Sequence, residues 1–418
     1  MKAKPETQEL VDHFFRHEYA RMVAVLTRYF GLDHIEIAED IVQDTLTEAL
    51  ECWGSSNLPN NPAAWLMDVA KKKTINFLKR HQLFEQKIVG NFRKAQQGDH
   101  QDILEFKDEI IEDSMLRMIF CCCHPTLQSE GQIVLALKSL CGLSSKEIAF
   151  ALLSNTETVN KRLFRAKDKF RQGIIAFEIP DKTNLESRLE NVLLVLYLLF
   201  NEGYHSSHPD KLIRADLCTE AIRLNKLLLK HFPERSEIQA LMALMLLQFA
   251  RVESRLDDQG AIIILQDQDR TLWDKTLITL GIEHLHRAMT NNQITAYHLK
   301  AGIAAEHCLA ESSESTNWHS ICKQYALLKK IEVSPIIELN SAIANFFSGK
   351  HSEAFIQLEH LEKQNALRDY PLLYATLGEF HLRLGHKTMA KSYFSRAIEK
   401  SQSNINLNLL QKKLESCE

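Results

Sequence analysis

The 418-residue chain holds only 14 glycines and 9 prolines, both below their usual share. Tight turns draw on both residues, so a turn-rich all-β fold is disfavoured and helices are expected. Long apolar runs are missing as well: the longest, Val192 to Phe200, falls far short of the roughly 20 residues of a membrane span. The opening residues, MKAKPETQEL, contain no apolar signal core, so secretion is not expected. No P-loop and no dinucleotide glycine pattern occurs, which leaves nucleotide hydrolysis without support. The nine cysteines stand at 52, 121, 122, 123, 141, 218, 308, 322 and 417, an odd number without paired CxxC spacing. A reduced, cytoplasmic protein fits that usage. What remains is a chain of 45% hydrophobic and 25% charged residues, the mix of a soluble protein with a core. Its length predicts two or three domains.

The net charge of −4 hides strong patterning. Residues 1–70 carry 5 Lys/Arg against 12 Asp/Glu, whereas residues 71–94 carry 8 against 1. Residues 99–113 return to 1 against 7, and residues 156–171 to 6 against 2. Two short basic segments in an acidic chain mark local sites for an acidic partner, not a uniformly basic surface.

Helical periodicity runs throughout, with no alternating strand pattern. A first block spans 1–90, a polar stretch at 91–107 (from Gly90, GNFRKAQQGDHQDILEF) reads as a linker, and a compact helical block spans 108–176. A boundary falls at Phe177–Thr183, and residues 183–418 form a longer helical part. Within it, Tyr374, Leu377, Gly378, Gly385, Ala390, Phe394 and Ala397 follow the spacing of a tetratricopeptide unit. A weaker copy comprises Ala342, Gly349, Ala354, Leu358 and Leu361, and Gly349 and Gly385 set the two copies 36 residues apart. An irregular helical bundle is the alternative.

The most informative stretch is SSKEIAFALLSNTETVNKRLFRAKDKFR, residues 144–171. Ser144 and Glu147 make a capping box, with Ile148, Ala149 and Leu152 facing inward. A short turn at Leu153–Asn155 leads to a second helix whose apolar positions are Val159, Leu163, Ala166 and Phe170. Its other face offers Thr158, Lys161, Arg162, Arg165 and Lys169. Two short helices with a tight turn, the second basic outside, are the signature of a DNA-reading helix-turn-helix. A solvated charged helix is the plainer possibility.

The other basic segment is NNPAAWLMDVAKKKTINFLKRHQLF, residues 60–84. Asn61 as cap and Pro62 in the first turn start a helix. Leu66, Ala70, Thr74 and Phe77 make its inner stripe; Asp68, Lys72, Asn76 and Arg80 make another, flanked by Lys71 and Lys79. The preceding loop, Gly54–Asn60, can receive an extruded base, and Trp53 and Trp65 can either stack on bases or fill the core. Spacing alone leaves nucleic-acid contact and a solvated face open. Upstream, Ile37, Ile41, Leu46 and Ala49 can pack inward, leaving Glu36, Asp40, Gln43, Asp44 and Thr47 outside. That acidic stripe is either solvated or a dock for a basic partner.

In this order the segments resemble a bacterial sigma factor of the extracytoplasmic-function type. AEDIVQDTLTEAL (38–50) resembles the family's helix that binds core RNA polymerase, with Asp40 and Gln43 at its acidic and glutamine positions. PAAWLMDVAKKKTINFLKR resembles the helix that melts and reads the −10 element, and residues 142–171 resemble the reader of the −35 element. Lys71, Lys72 and Lys73 stand where the family more often has an arginine–asparagine pair. Asn155, Thr156 and Glu157 stand where it often has glycine or proline. LRMIFCCCHP, LYLLFNEGY, LQDQDRTLWD and ELNSAIA resemble stretches of the subgroup with a tetratricopeptide-like extension. The resemblance implies an all-α fold of two small sigma domains, the second a helix-turn-helix, followed by that extension. It implies a promoter-specificity subunit that is not an enzyme, needs no cofactor or membrane, and has core RNA polymerase and promoter DNA as partners. A further protein partner would sit on the extension. By the resemblance, Asp40, Gln43, Asp44 and Thr47 bind core polymerase. Lys71, Lys72, Asn76, Lys79 and Arg80 would meet the −10 element, and Thr158, Lys161, Arg162, Arg165 and Lys169 the −35 element. The rival reading is a DNA-binding regulator with a helical sensor domain that does not dock on polymerase.

Other clusters are set aside. Cys121, Cys122, Cys123 and His124 cannot all turn to one ion from a regular helix, so no metal is expected. No group orients a cysteine nucleophile. Near Asp267, Gln268, Asp269, Arg270 and Trp273 a helix start is favoured over a cation site.

Overall fold

The computed structural model describes residues 5–53, 58–80, 107–152, 154–180, 182–206, 212–257, 263–290, 293–364, 367–401 and 404–417. All of the expected linker at 91–107 except Lys107, and Gly54–Asn57 of the expected base-receiving loop, lie outside these residues. Among the described residues the fold is helical, with no strand, as the scarcity of glycine and proline and the helical periodicity imply. No described helix is long and apolar enough to cross a membrane. The chain divides into two compact units, residues 1–199 and residues 200–418.

The first unit opens with α1 (Pro5–Phe30), α2 (Ile35–Cys52) and α3 (Pro62–Arg80). Met22, Val23, Ala24, Val25 and Leu26 of α1 are all fully buried. A helix apolar all round at one stretch must be covered on every side. Helices α2 and α4 (Asp108–Cys122) pack on α1, and α3 packs on α2. The cover by α4 is fixed at its polar edge, where Arg28 donates to Asp113 at 2.7 Å. Next come α5 (Ser129–Ser139), α6 (Ser145–Ala151) and α7 (Thr156–Arg171), with α7 lying against both α5 and α6. Helix α8 (Lys182–Tyr204) runs across the division between the units.

The second unit holds α9 (Ala215–His231), α10 (Ser236–Phe249), α11 (Lys275–Ala288), α12 (Ala296–Leu309), α13 (Trp318–Ile331), α14 (Pro335–Phe347), α15 (His351–Lys363), α16 (Pro371–Arg383), α17 (Lys387–Lys400) and α18 (Asn404–Glu415). Each of these helices packs chiefly on those next or next but one in the chain. Two hairpins repeat one backbone design. After α14, Gly349 N–H reaches Phe346 O at 3.0 Å and Lys350 N–H reaches Asn345 O at 2.9 Å. After α16, Gly385 N–H reaches Leu382 O at 3.0 Å and His386 N–H reaches His381 O at 2.8 Å. Both are Schellman endings, and both glycines take the positive φ this requires, 89° and 79°. A Cβ on Gly378 would lie 2.8 Å from the Phe394 ring, so the missing side chain lets α17 seat that phenylalanine at 1% exposure. Phe346 and Phe380 stack at 3.8 Å between the two hairpins.

Candidate nucleic-acid interface

Local sequence builds the second basic segment as expected. Ser144 Oγ accepts from Glu147 N–H at 3.2 Å while Glu147 Oε2 accepts from Ser144 N–H at 2.6 Å, a complete capping box for α6. Asn155 caps α7 by accepting from Thr158 N–H at 2.8 Å, a role for which asparagine was available in the sequence but not singled out. Ile148, Ala149, Val159, Ala166 and Phe170 are buried; Leu152 and Leu163 are half-buried. The opposite face of α7 presents Lys161, Arg165 and Lys169 to solvent, with Thr158 and Arg162 half-buried beside them. Lys161 leans on Glu157 at 2.6 Å, both well exposed, a pairing that water and salt easily release.

The α3 segment is capped by Asn61, whose Oδ1 accepts from Ala64 N–H at 3.1 Å. Leu66, Ala70 and Thr74 are buried and Phe77 half-buried, which leaves Asp68, Lys72 and Asn76 exposed and Lys71 half-buried. The side chains of Lys79 and Arg80 lie outside the described residues. Lys73 pairs with Glu48 of α2 at 2.9 Å. Trp53 and Trp65 meet each other edge-on at 5.2 Å, and Trp53 packs on Phe15 at 5.6 Å. The two indoles therefore pack together, with Trp53 also against α1.

The acidic helix α2 splits into two halves. Asp40, Gln43, Asp44 and Thr47 are exposed. Glu36 and Glu39 are not free in the same way, which no spacing pattern reveals. Arg171 grips Glu36 with Nη at 2.5 Å and Nε at 3.3 Å, a two-pronged guanidinium–carboxylate pair. That hydrogen bond holds the Glu36 carboxyl below its ordinary value. Glu39, 7% exposed, accepts from Lys167 and from Ser139 Oγ at 3.3 Å. The inner edge of α7 is thus tied to α2 while its outer basic face stays open. Burial, followed by the charges of Glu39 and Asp40, pushes the Tyr19 phenol up.

The cysteine cluster is core. Cys121, Cys122 and Cys123 are fully buried; burial raises the Cys121 thiol to about 12, and its Sγ donates to Ala176 O at 3.3 Å. Among the described residues no three His, Cys, Asp or Glu side chains are grouped to hold a metal. In the second unit Asp269 caps a short 3-10 turn by accepting from Thr271 N–H at 2.8 Å. The long helix that follows, α11, is capped by Asp274 instead.

Comparison with known proteins now bears on these segments. Residues 14–84 match sigma-70 region 2, the stretch that contains α2 and α3. Residues 188–289 match a family of unknown function, DUF6596. The uncharacterised protein R00370 of Rhizobium meliloti (strain 1021) is 35% identical over 382 residues, covering 90% of this chain and 88% of that one. The chain belongs to the family of that protein. The RNA polymerase sigma factor YlaC of Bacillus subtilis (strain 168) is 23% identical over 167 residues, 40% of this chain and 93% of YlaC. Region 2 and this similarity together support an RNA polymerase sigma factor, a family without enzymatic activity of its own.

Proposed function

We propose that the chain is a promoter-specificity subunit of bacterial RNA polymerase, of the extracytoplasmic-function type, acting in the cytoplasm. The observation that carries the proposal is the capped helix-turn-helix of α6 and α7, with Lys161, Arg165 and Lys169 exposed, in a chain whose residues 14–84 match sigma-70 region 2. Domain two of the sigma factor occupies residues 1–90 and docks on core polymerase through Asp40, Gln43, Asp44 and Thr47. Its basic residues Lys71, Lys72, Asn76, Lys79 and Arg80 hold the opened −10 strand, where unstacked bases and phosphates meet a cationic groove. After a linker at 91–107, domain four occupies 108–176 and reads the −35 duplex. Lys161 and Lys169 position it on phosphates, while Arg162, Arg165 and Thr158 approach base edges. Residues 183–418 form a tetratricopeptide-like extension that sets activity through a protein partner. The two Schellman-ended hairpins and the Gly378–Phe394 contact support that reading.

The test is run-off transcription on sheared genomic DNA with purified core polymerase. Discrete starts that require this protein support the proposal and deliver both promoter elements. Absence of starts with the full chain and with a 1–178 fragment rejects it in favour of a DNA-binding regulator that does not dock on polymerase.

A further inference from the structure

We propose that Arg251, Arg255 and Arg270, in the second unit, form a binding site for a small oxyanion of the carboxylate or phosphate class. The three side chains converge on shared aromatic rings. Arg255 lies 3.7 Å over the Tyr204 ring and donates to the Tyr204 carbonyl, while Arg251 donates to the Tyr204 hydroxyl at 3.2 Å. Arg251 and Arg270 then share the buried Trp273 indole, at 5.7 and 4.6 Å. Arg270 is held by the carbonyls of His307 and Ala310, each at 2.7 Å. The indole is itself fixed by donating to Ser254 Oγ at 2.8 Å.

Arg251 and Arg255 are only 7% and 5% exposed. Buried cations are normally paired, because losing water costs far more than neutral contacts return. Among the described residues no carboxylate lies within ion-pair distance of the three, although the Glu314 charge acts on Arg270 from further off, and the same unit closes a buried pair elsewhere, Arg214 with Glu202 at 3.6 Å. Aromatic faces offset part of the cost of desolvation but supply no counter-charge. Among the described residues Arg251 Nε, a donor, is buried and has no partner, and neither has Nδ1 of His307. Burial first, and the charge of Arg251 after it, draw the Arg255 guanidinium below its ordinary value, against an opposing effect of Tyr204. An oxyanion beside Arg251 would supply a counter-charge and an acceptor for its Nε, in guanidinium forks suited to planar or tetrahedral oxygen groups. His205, whose Nδ1 lies 3.1 Å from Arg255, is exposed as a residue, while burial of its imidazole draws it down to about 3. Tyr204, His205, Arg251, Arg255, Arg270 and Trp273 all fall within residues 188–289, the stretch that matches the family of unknown function. The inference is independent of the transcription reading.

Calorimetric titration of the full chain with inorganic phosphate, and separately with succinate, at constant ionic strength tests it. One of the two anions is expected to saturate at one site per chain and to raise the melting temperature; which one does so separates phosphate from carboxylate ligands. Arg251→Gln and Arg255→Gln are expected to weaken that binding about tenfold or more, while substitution of exposed Arg287 on α11, Arg287→Gln, leaves it unchanged. Without anion, Arg251→Gln is expected to melt no lower than the native chain, since it removes an unneutralised charge. Failure of both anions to saturate the native chain overturns the proposal. So does binding that survives both substitutions.

Discussion

Arg171, in the last turn of α7, holds both carboxylate oxygens of Glu36, in the first turn of α2, across 135 residues of sequence. Four residues earlier on α7, Lys167 holds Glu39 one turn further along α2. The two pairs look alike in sequence but not in environment. The side chains of Arg171 and Glu36 are 39% and 46% exposed, whereas those of Lys167 and Glu39 are 17% and 9% exposed. Exposed pairs contribute about 1 kcal/mol or less, while breaking a buried pair strands a charge and costs about 3 kcal/mol or more. Glu39→Ala is therefore expected to lower the denaturation midpoint far more than Glu36→Ala. Equal losses would show that burial does not rank the pairs.

Acid should release the Glu36 tie. Its folded carboxyl sits below its ordinary value of 4.5 because of the Arg171 hydrogen bond. The folded state thus binds the proton less readily than the unfolded chain, and the contribution is complete above 4.5 and lost as pH falls through the lower folded value. Glu36→Gln should flatten the stability curve in that acid window and lower it by a constant amount, about 1 kcal/mol or less, at neutrality. A native-like acid slope in the variant would refute the assignment.

His307 makes the opposite kind of demand. Burial, then the charges of Arg251 and Arg270, draw its imidazole down to about 3 from 6.5. The folded chain keeps it neutral, so stability is complete above 6.5 and falls as pH drops towards 3. One such group contributes a slope of up to about 1.4 kcal/mol per pH unit. Melting curves between those values should be less pH-dependent for His307→Asn than for the native chain. Parallel curves would place the cause elsewhere.

Charge reversal at Arg165 probes the open face of α7. Arg165→Glu should weaken duplex promoter binding by about 1–3 kcal/mol and leave capture of core polymerase intact. Equal loss of both in a pull-down would exclude a DNA-specific role.

The Gly378 seat makes a packing prediction. Gly378→Ala drives a methyl into the Phe394 ring and should cost about 1–3 kcal/mol. Adding Phe394→Leu should return part of that loss, because the smaller side chain vacates the space. Losses that simply add would mean the two residues do not share it.

These cases also mark what sequence can carry. Ser144 with Glu147, and the two glycines 36 residues apart, act through neighbours in the chain, so spacing rules reach them. The inner stripe of α3 was legible for the same reason. The ties from Arg171 and Lys167 to α2 were not, because nothing periodic links residues 128 and 135 positions apart. Of the two aspartates expected at a helix start, Asp269 begins only a three-residue 3-10 turn and Asp267 ends another. Asp269 serves a short turn and Asp274 serves α11, with buried Trp273 between them. Trp53 and Trp65 left base stacking and core packing open, and only their mutual contact at 5.2 Å shows them paired in the protein. The arginine cluster is assembled from a helix end and two short turns, which no single-segment pattern describes.

The neighbour-on-neighbour packing of residues 200–418 has a kinetic consequence. Contacts that link helices next or next but one in the chain need no long chain closure before they form, so this unit should fold fast for its size. It should also open in pieces, because a hairpin can let go without dismantling those two places away. Amide exchange would then give a staircase of protection along the chain, where a single cooperative core would give one plateau.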